Sequence, residues 1–292
     1  MAEENTVVEV AKIIADIVKG APAAIVAKIL PVEKLIDTVA RGIGLLYHPR
    51  HVKQASTAAA EAIVAETKAA ELSKDIRQRA KFRREVEALH HQANLENIAG
   101  KAEKYLPEEV SPIPVDQGWT SAFANEAKTA SRDDLQELWA RILAEEVSAP
   151  GSISTRTLSL LKKVSASDAA RFQRVASICV ESLVPGVRDQ GIVEIGLSTN
   201  DLKELADRGL IHSALDMTVN FAPGTQLQYF RQIWQLQNST GGPVPVPLLM
   251  LTDCGIDLLR VTERHAVPNF AAIVESTIKA RNANCSLAVR AK

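Results

Sequence analysis

The residue types that do chemistry occur in this sequence singly or in pairs, and their spacing decides what each could support. His48 and His51 stand three apart, His90 and His91 are adjacent, and Glu87 and His91 share a helix face at i, i+4. A zinc site needs three or four converging ligands. No third ligand follows at a suitable spacing, so these read as surface or partner-facing histidines. Gly42-Ile43-Gly44 opens like a phosphate-cradling GxGxxG turn, but Tyr47 stands in the third glycine's place, no strand precedes it and no Gly-Lys-Ser/Thr follows. Close helix contact explains these small residues better. Ser159 and Lys162 fit an SxxK nucleophile pattern without its companion motifs. Cys179, Cys254 and Cys285 are odd in number and widely spaced, with no CxxC pair, as expected of reduced thiols in a cytoplasmic protein. The expectation is therefore a protein that is not an enzyme, with no catalytic residue, metal, cofactor or small-molecule substrate.

The strongest charge feature is a basic stripe. Lys74, Arg77, Arg79, Lys81, Arg83 and Arg84 fall within eleven residues, interrupted by Asp75. One reading is a solvated helix face with i, i+4 partners in Glu71 and Glu87. The other is contact with an anionic surface, either lipid headgroups or nucleic acid. Phe82 is the one aromatic within the stripe, so base stacking has little support. The net charge of the 292 residues is −1, which supplies no global basic field, and nucleic acid is the weaker partner reading.

These groups must sit on helices for much of the chain. Hydrophobic residues make up 46% and aromatics only 4%, so any core is aliphatic, and alanine-rich stretches favour helix. Residues 1–106 form an N-terminal helical arm. Helices over 6–19, 23–30 and 32–46 carry Val10, Ile14, Ile17, Ile25, Ile29, Leu35, Ile36 and Ile43 at helical spacing, punctuated by lysines such as Lys34. Such helices lie in a bilayer interface, pair with another copy or pack into a bundle. A long helix, whole or broken near Ser73, then fills Arg50 to Ala99, a stretch without Pro or Gly. The start, MAEENTVVEV, lacks the basic n-region of a secretory signal, and no apolar run reaches the ~18 residues of a spanning helix.

Prolines 107, 112 and 114 mark residues 107–115 as a linker. Residues 116–184 read as a central helical domain. Trp119 and Phe123 form an i, i+4 packing pair, and Ser131 is the expected cap of an amphipathic helix carrying Leu135, Leu138, Trp139, Ile142 and Leu143. Ser154 is expected to cap the next helix, and Ser165 or Ser167 the one after it. Residues 185–292 change to an α/β pattern. A helix over Asn200–Arg208 ends at Gly209. Strands follow over Met217–Phe221 and Leu227–Leu236, joined by Ala222-Pro223-Gly224, and a third covers Leu248–Leu251. Thr252 then caps a helix to Val261, and a last helix follows Pro268. Helix, β ribbon and helix in this order suggest a winged-helix-like domain. Its presumed recognition helix holds Lys203 and Arg208 among Asp201, Glu204 and Asp207, which favours a protein-binding wing over a DNA reader.

The segment Leu138-Trp139…Ile142-Leu143…Glu146, continued by Pro150, Gly151, Ser154, Thr157 and Leu158, resembles a bacterial family of unknown function. That family pairs an LWAxILAxE…PGxxSxRTL stretch with a later GLI…LTxxG stretch, here Gly209-Leu210-Ile211 with Leu251, Thr252 and Gly255. Gly42 to Tyr47 and Pro49 extend the likeness towards the start. The resemblance transfers no enzymatic residue and implies a link to anti-phage defence. Physically, the motif describes a helix–turn–helix corner, with Glu146 placed to meet Arg156 or backbone amides. The combined expectation is a mainly α protein with a long-helix arm, a central helical bundle and a small C-terminal α/β domain. It would work in the cytoplasm, or peripherally at the inner membrane, as a homo-oligomer or with a protein partner encoded nearby. The alternative is a DNA-associated regulator.

Overall fold

The computed structural model describes residues 31–40, 76–185, 196–214 and 217–292. Helices dominate, and two small antiparallel sheets accompany them. The chain divides into two compact units, Met1–Thr155 and Arg156–Lys292. The division falls inside the stretch 116–184 that the sequence groups as one domain.

In the first unit, residues 31–40 are helical, and Leu35 and Val39 are fully buried. Helix α1 runs from Ile76 to Ala102 and passes through Gly100 before a 3-10 turn at Glu103–Tyr105. Only its C-terminal part is buried, at Leu95, Ile98, Ala99 and Ala102. Helix α2 (Gln117–Ala127) starts where the Asp116 carboxylate accepts the Trp119 amide. Helix α3 (Asp133–Ser148) follows. Its N-cap is Arg132 with no side-chain cap, not Ser131; Asp133 and Asp134 in the first turn instead complement the helix dipole. Lys101 reaches across to Asp133 (2.5 Å) and Gln136 (3.1 Å), pinning the end of α1 to the start of α3.

In the second unit, α4 (Thr155–Leu161) leads to α5 (Ala166–Ser177) and, further on, α6 (Thr199–Asp207). Both α5 and α6 open with capping boxes, Ser165 with Asp168 and Ser198 with Asp201. Arg171 joins the boxes, at 3.2 Å from Asp168 and 2.7 Å from Asp201, and also meets Glu204 at 2.7 Å. Burial pushes the nearly enclosed Asp168 carboxyl up. The Ser165 hydroxyl and amide, with Arg208 and Arg171 beside it, outweigh that effect and hold it below its ordinary value.

The sheets correct the expected β ribbon. Strands β1 (Leu183–Pro185), β2 (Met217–Phe221) and β5 (Val244–Met250) form one sheet in the order β1-β5-β2. Strands β3 (Gln226–Tyr229), β4 (Gln232–Asn238) and β6 (Cys285–Ala291) form the other, in the order β3-β4-β6. Met217–Phe221 therefore pairs with β5 and not with the strand that follows it. The single strand expected over Leu227–Leu236 is a hairpin that turns at Phe230, a non-glycine residue at φ +50°. Strand β5 also begins earlier than the expected Leu248, because Pro245 and Pro247 hide it. Both prolines lie where β5 pairs with β2 alone, since β1 covers only Leu248–Met250, so neither missing N–H breaks a two-sided ladder.

Helix α7 (Asp253–Val261) explains the glycine-bearing motifs of this unit. Gly209 takes φ +77° and ends α6. Thr252 caps α7 by accepting the Gly255 amide at 3.1 Å, and its hydroxyl donates to the Gly209 carbonyl at 2.6 Å. A Cβ on Gly255 would stand 2.1 Å from the Leu210 carbonyl oxygen, so only glycine lets the helix come this close. Helix α8 (Phe270–Arg281) packs on β6 and β5. Tyr229, Trp234 and Phe270 form an aromatic cluster with ring centroids 4.8–5.7 Å apart.

Gly255→Ala is expected to destabilise the second unit by about 3 kcal/mol or to prevent its folding, because backbone must give way rather than a flexible side chain; urea denaturation read by circular dichroism checks this. Asp168 contributes stability above its unfolded value of about 3.9 that is lost as pH falls through its lower folded value. The urea midpoint of the wild type is therefore expected to drop more steeply than that of Asp168→Asn between pH ~5 and ~2.

Candidate functional site

The central motif builds a closed corner in the first unit. Helix α3 is long enough to bring Trp139 and Leu143 to its buried stripe, one helical turn apart. Trp139 meets Phe123 edge-on at 5.5 Å, and Phe123 stacks on Trp119 at 5.2 Å. The Trp119 indole N–H donates to the Ile153 carbonyl at 2.7 Å. Leu138 is half-buried.

Glu146, 1% exposed, lies on the last turn of α3. Its carboxylate accepts the amides of Gly151 (2.7 Å) and Ile153 (2.9 Å), which are among its expected partners. Pro150 turns the chain and Gly151 adopts φ +85°, which aims these amides back at the carboxylate. Ser154 is exposed immediately before α4. Thr157 is fully buried and donates to Asp257 at 2.6 Å. Lys34 lies in the same unit: its ammonium donates to the Ser111 carbonyl at 2.5 Å, and burial pushes its pKa down while Glu146 opposes that shift. The Ser152 hydroxyl lies 3.4 Å from the same carboxylate, so the turn closes over the helix end.

The basic stripe lies on the other half of α1. Arg77, Arg79, Lys81, Arg83 and Arg84 are all exposed; Lys74 falls outside the described residues. Lys81 meets Glu85 at 3.8 Å, and the Arg84 guanidinium donates to the Ala80 carbonyl at 3.4 Å. Apolar residues share this exposed half. Ile76 is 73% exposed and Leu89 42%, and Phe82 and Val86 are half-buried. At 100° per residue, Phe82, Val86 and Leu89 form a stripe about 160° round the helix from Leu95, Ile98, Ala99 and Ala102.

The remaining expected sites come out as follows. Val10, Ile14, Ile17, Ile25, Ile29 and Ile43 lie outside the described residues, as do Gly42 to Tyr47, His48 and His51. Leu35 is fully enclosed, and Ile36 is half-buried. His90 is exposed, and His91 sits 3.9 Å from Glu87. Among the described residues, no cluster of His, Cys, Asp and Glu could hold a metal, and no helix is long and apolar enough to cross a membrane. All three cysteines are buried, and burial pushes the Cys179 thiol up to about 12, against the opposing charge of Arg264.

The chain belongs to the family described as protein of unknown function (DUF2806), whose model matches residues 78–275. The match begins on the exposed half of α1 and runs into α8, so it takes in the Glu146 corner and the Gly255 contact alike. No curated protein and no solved structure matches the chain.

Glu146→Ala is expected to cost about 3 kcal/mol, since it strands two buried amide donors. Glu146→Gln keeps one acceptor oxygen and is expected to cost roughly half as much. Thermal denaturation of the two variants beside the wild type gives the comparison, and equal stability of Glu146→Ala and wild type would remove the clamp from this account.

Proposed function

We propose that this protein works by interaction and assembly rather than by bond chemistry, with the exposed half of α1 as its contact surface. The observation that carries the reading is the rotation of the apolar stripe on this helix. Leu95, Ile98, Ala99 and Ala102 face the interior of the first unit. Phe82, Val86 and Leu89 point about 160° away from them, among cations. Large apolar side chains left outside a core beside charged groups mark a surface that meets something else. A second copy of the chain is the simplest cover. The basic residues beside the stripe suit an anionic membrane surface as an additional, peripheral contact.

The cellular setting rests on resemblance alone. The resemblance carried by the Leu138–Leu158 motif and the Gly209…Gly255 pair suggests a link to anti-phage defence, and a defence role for the assembly is proposed on that resemblance. The second reading, a DNA-associated regulator with a winged-helix-like second unit, draws on the β3–β4 hairpin as a wing. Its helix α6 weighs against it: Asp201 and Glu204 engage Arg171, and Arg208 at its end lies 3.3 Å from Asp168, which leaves few cations for phosphate.

Light scattering after size separation, at several concentrations up to tens of micromolar, tests the assembly reading. The wild type is expected to self-associate, and Val86→Asp with Leu89→Asp is expected to weaken association at least tenfold, for a loss of about 1.4 kcal/mol or more. A strictly monomeric wild type across that range sinks the reading. Co-sedimentation with anionic and with neutral vesicles separates the membrane contact: the anionic arm alone should pellet the protein, and Arg83→Glu with Arg84→Glu should release it.

A further inference from the structure

Strand β6 lies at one edge of the sheet β3-β4-β6. The Lys292 amide donates to the Arg231 carbonyl at 2.9 Å, and the Ser239 amide donates to the Asn284 carbonyl at 3.0 Å. These two bonds fix the phase of the ladder, because bonded and non-bonded pairs alternate along antiparallel strands. Ser286, Ala288 and Arg290 therefore exchange bonds with β4, and Leu287, Val289 and Ala291 turn their N–H and C=O groups outward. The Leu287 amide meets the Glu275 carboxylate of α8, in agreement with that phase. Val289 and Ala291 are exposed, and among the described residues no backbone group pairs with their outward ones.

A cleft of about 360 Å³ adjoins this open run of edge. Val289 pairs with Trp234, so its side chain projects to the face of the sheet that carries the aromatic cluster, yet it is 43% exposed. The cleft lies between that side chain and the first turns of α8. Tyr229, Phe270, Ala272 and Val289 give it apolar walls, and Gln232 and Glu275 give it polar ones. Directly paired residues project to the same side of a sheet. A residue set opposite Val289 on an added strand would therefore place its side chain at the cleft. Edge and cleft share one register.

We propose that the β6 edge docks an extended peptide segment of a partner protein, which adds a strand to the sheet and seats one large apolar side chain in the cleft. The edge selects an extended backbone, since only a strand offers a donor and an acceptor in turn at this spacing. The cleft selects one of its side chains by size, as alternate pockets do wherever a peptide joins a sheet edge. A second copy of β6 fits less well. Two-fold pairing centred on Val289 would set another valine opposite it, a small side chain for a cleft of about 360 Å³. Pairing centred on Arg290 would set two like charges directly opposite each other. The surface belongs to the second unit and not to α1, so it stands independently of the assembly reading.

Fluorescence anisotropy with the full chain and a labelled peptide, Thr-Val-Thr-Phe-Thr-Val-Thr, tests the proposal. Saturable binding is expected, and replacing the central Phe by Ala should weaken it at least ~10-fold. Methylating the backbone nitrogen of that Phe, which would face the edge, should weaken binding as much. Methylating the nitrogens of its two neighbours, which would face away, should change it little. Val289→Pro removes an N–H from the free edge and none from the β4 ladder, so the protein should fold and lose binding at least ~10-fold. Ala272→Trp fills the cleft from the exposed surface of α8 and should do the same. Circular dichroism checks that each variant folds. Val86→Asp with Leu89→Asp on α1 should bind the peptide as the wild type does. The proposal fails if the wild type does not bind, if the Ala peptide binds as well as the Phe peptide, or if both methylated peptides bind alike. Wild-type binding by a folded Val289→Pro or Ala272→Trp also overturns it. So does light scattering in which Val289→Pro abolishes self-association, because a second copy would then occupy the edge.

Discussion

A carboxylate sealed from water persists only where donors surround it, and the first unit is organised round that requirement at Glu146. The last turn of a helix is an unfavourable place for a negative charge, because the helix dipole is negative there. The amides of Gly151 and Ile153 overcome this by folding back over the helix end. That fold-back needs the positive φ of Gly151, and it sets the Ile153 carbonyl where the Trp119 indole can reach it. The indole in turn continues the stack through Phe123 to Trp139. One buried charge therefore ties the helix end, the turn and the aromatic core of the unit into a single arrangement.

The second unit rests on a different constraint, the approach of α7 to the backbone at Leu210. A hydroxyl, an absent Cβ and two backbone bonds act together there. Thr252 caps the helix and holds the Gly209 carbonyl, Gly255 leaves room for the Leu210 carbonyl, and the Thr252 amide donates to that same carbonyl at 3.2 Å. The bridge between Ile211 and Leu251 continues the contact. Both units thus place their most distinctive sequence patterns in the interior, where they fix geometry. What the interior does not use includes the exposed half of α1, with Ile76 and Leu89 at the surface.

Much of this architecture is legible in the sequence, for local reasons. Capping residues act within one turn, so Ser165, Thr252 and the start after Pro268 are visible without knowledge of the fold. The Trp119–Phe123 pair follows from helical period alone. Misreadings fall where a distant partner overrides a local signal. Ser131 has the right side chain for a cap, yet Arg132 takes the position. The turn at Phe230 has no glycine or proline to announce it, and the Tyr229 ring and Arg264 pack against the Phe230 side chain there. The terminal strand β6 stays hidden because its pairing partner, β4, lies almost fifty residues upstream.

By itself the sequence determined the helices of 116–184, the Thr252 cap, the corner at Pro150-Gly151 and the lack of any familiar catalytic spacing, because each depends on residues within a few positions of one another. Only the tertiary structure decided which faces are left over. It enclosed Leu35, turned Phe82, Val86 and Leu89 away from the buried end of their own helix, and closed amides over Glu146. It also set Arg290 and Lys292 beside a row of glutamines. The physical reason is that exposure and charge convergence are properties of packed neighbours. A strand register that joins residues more than fifty positions apart leaves no periodic trace in the chain.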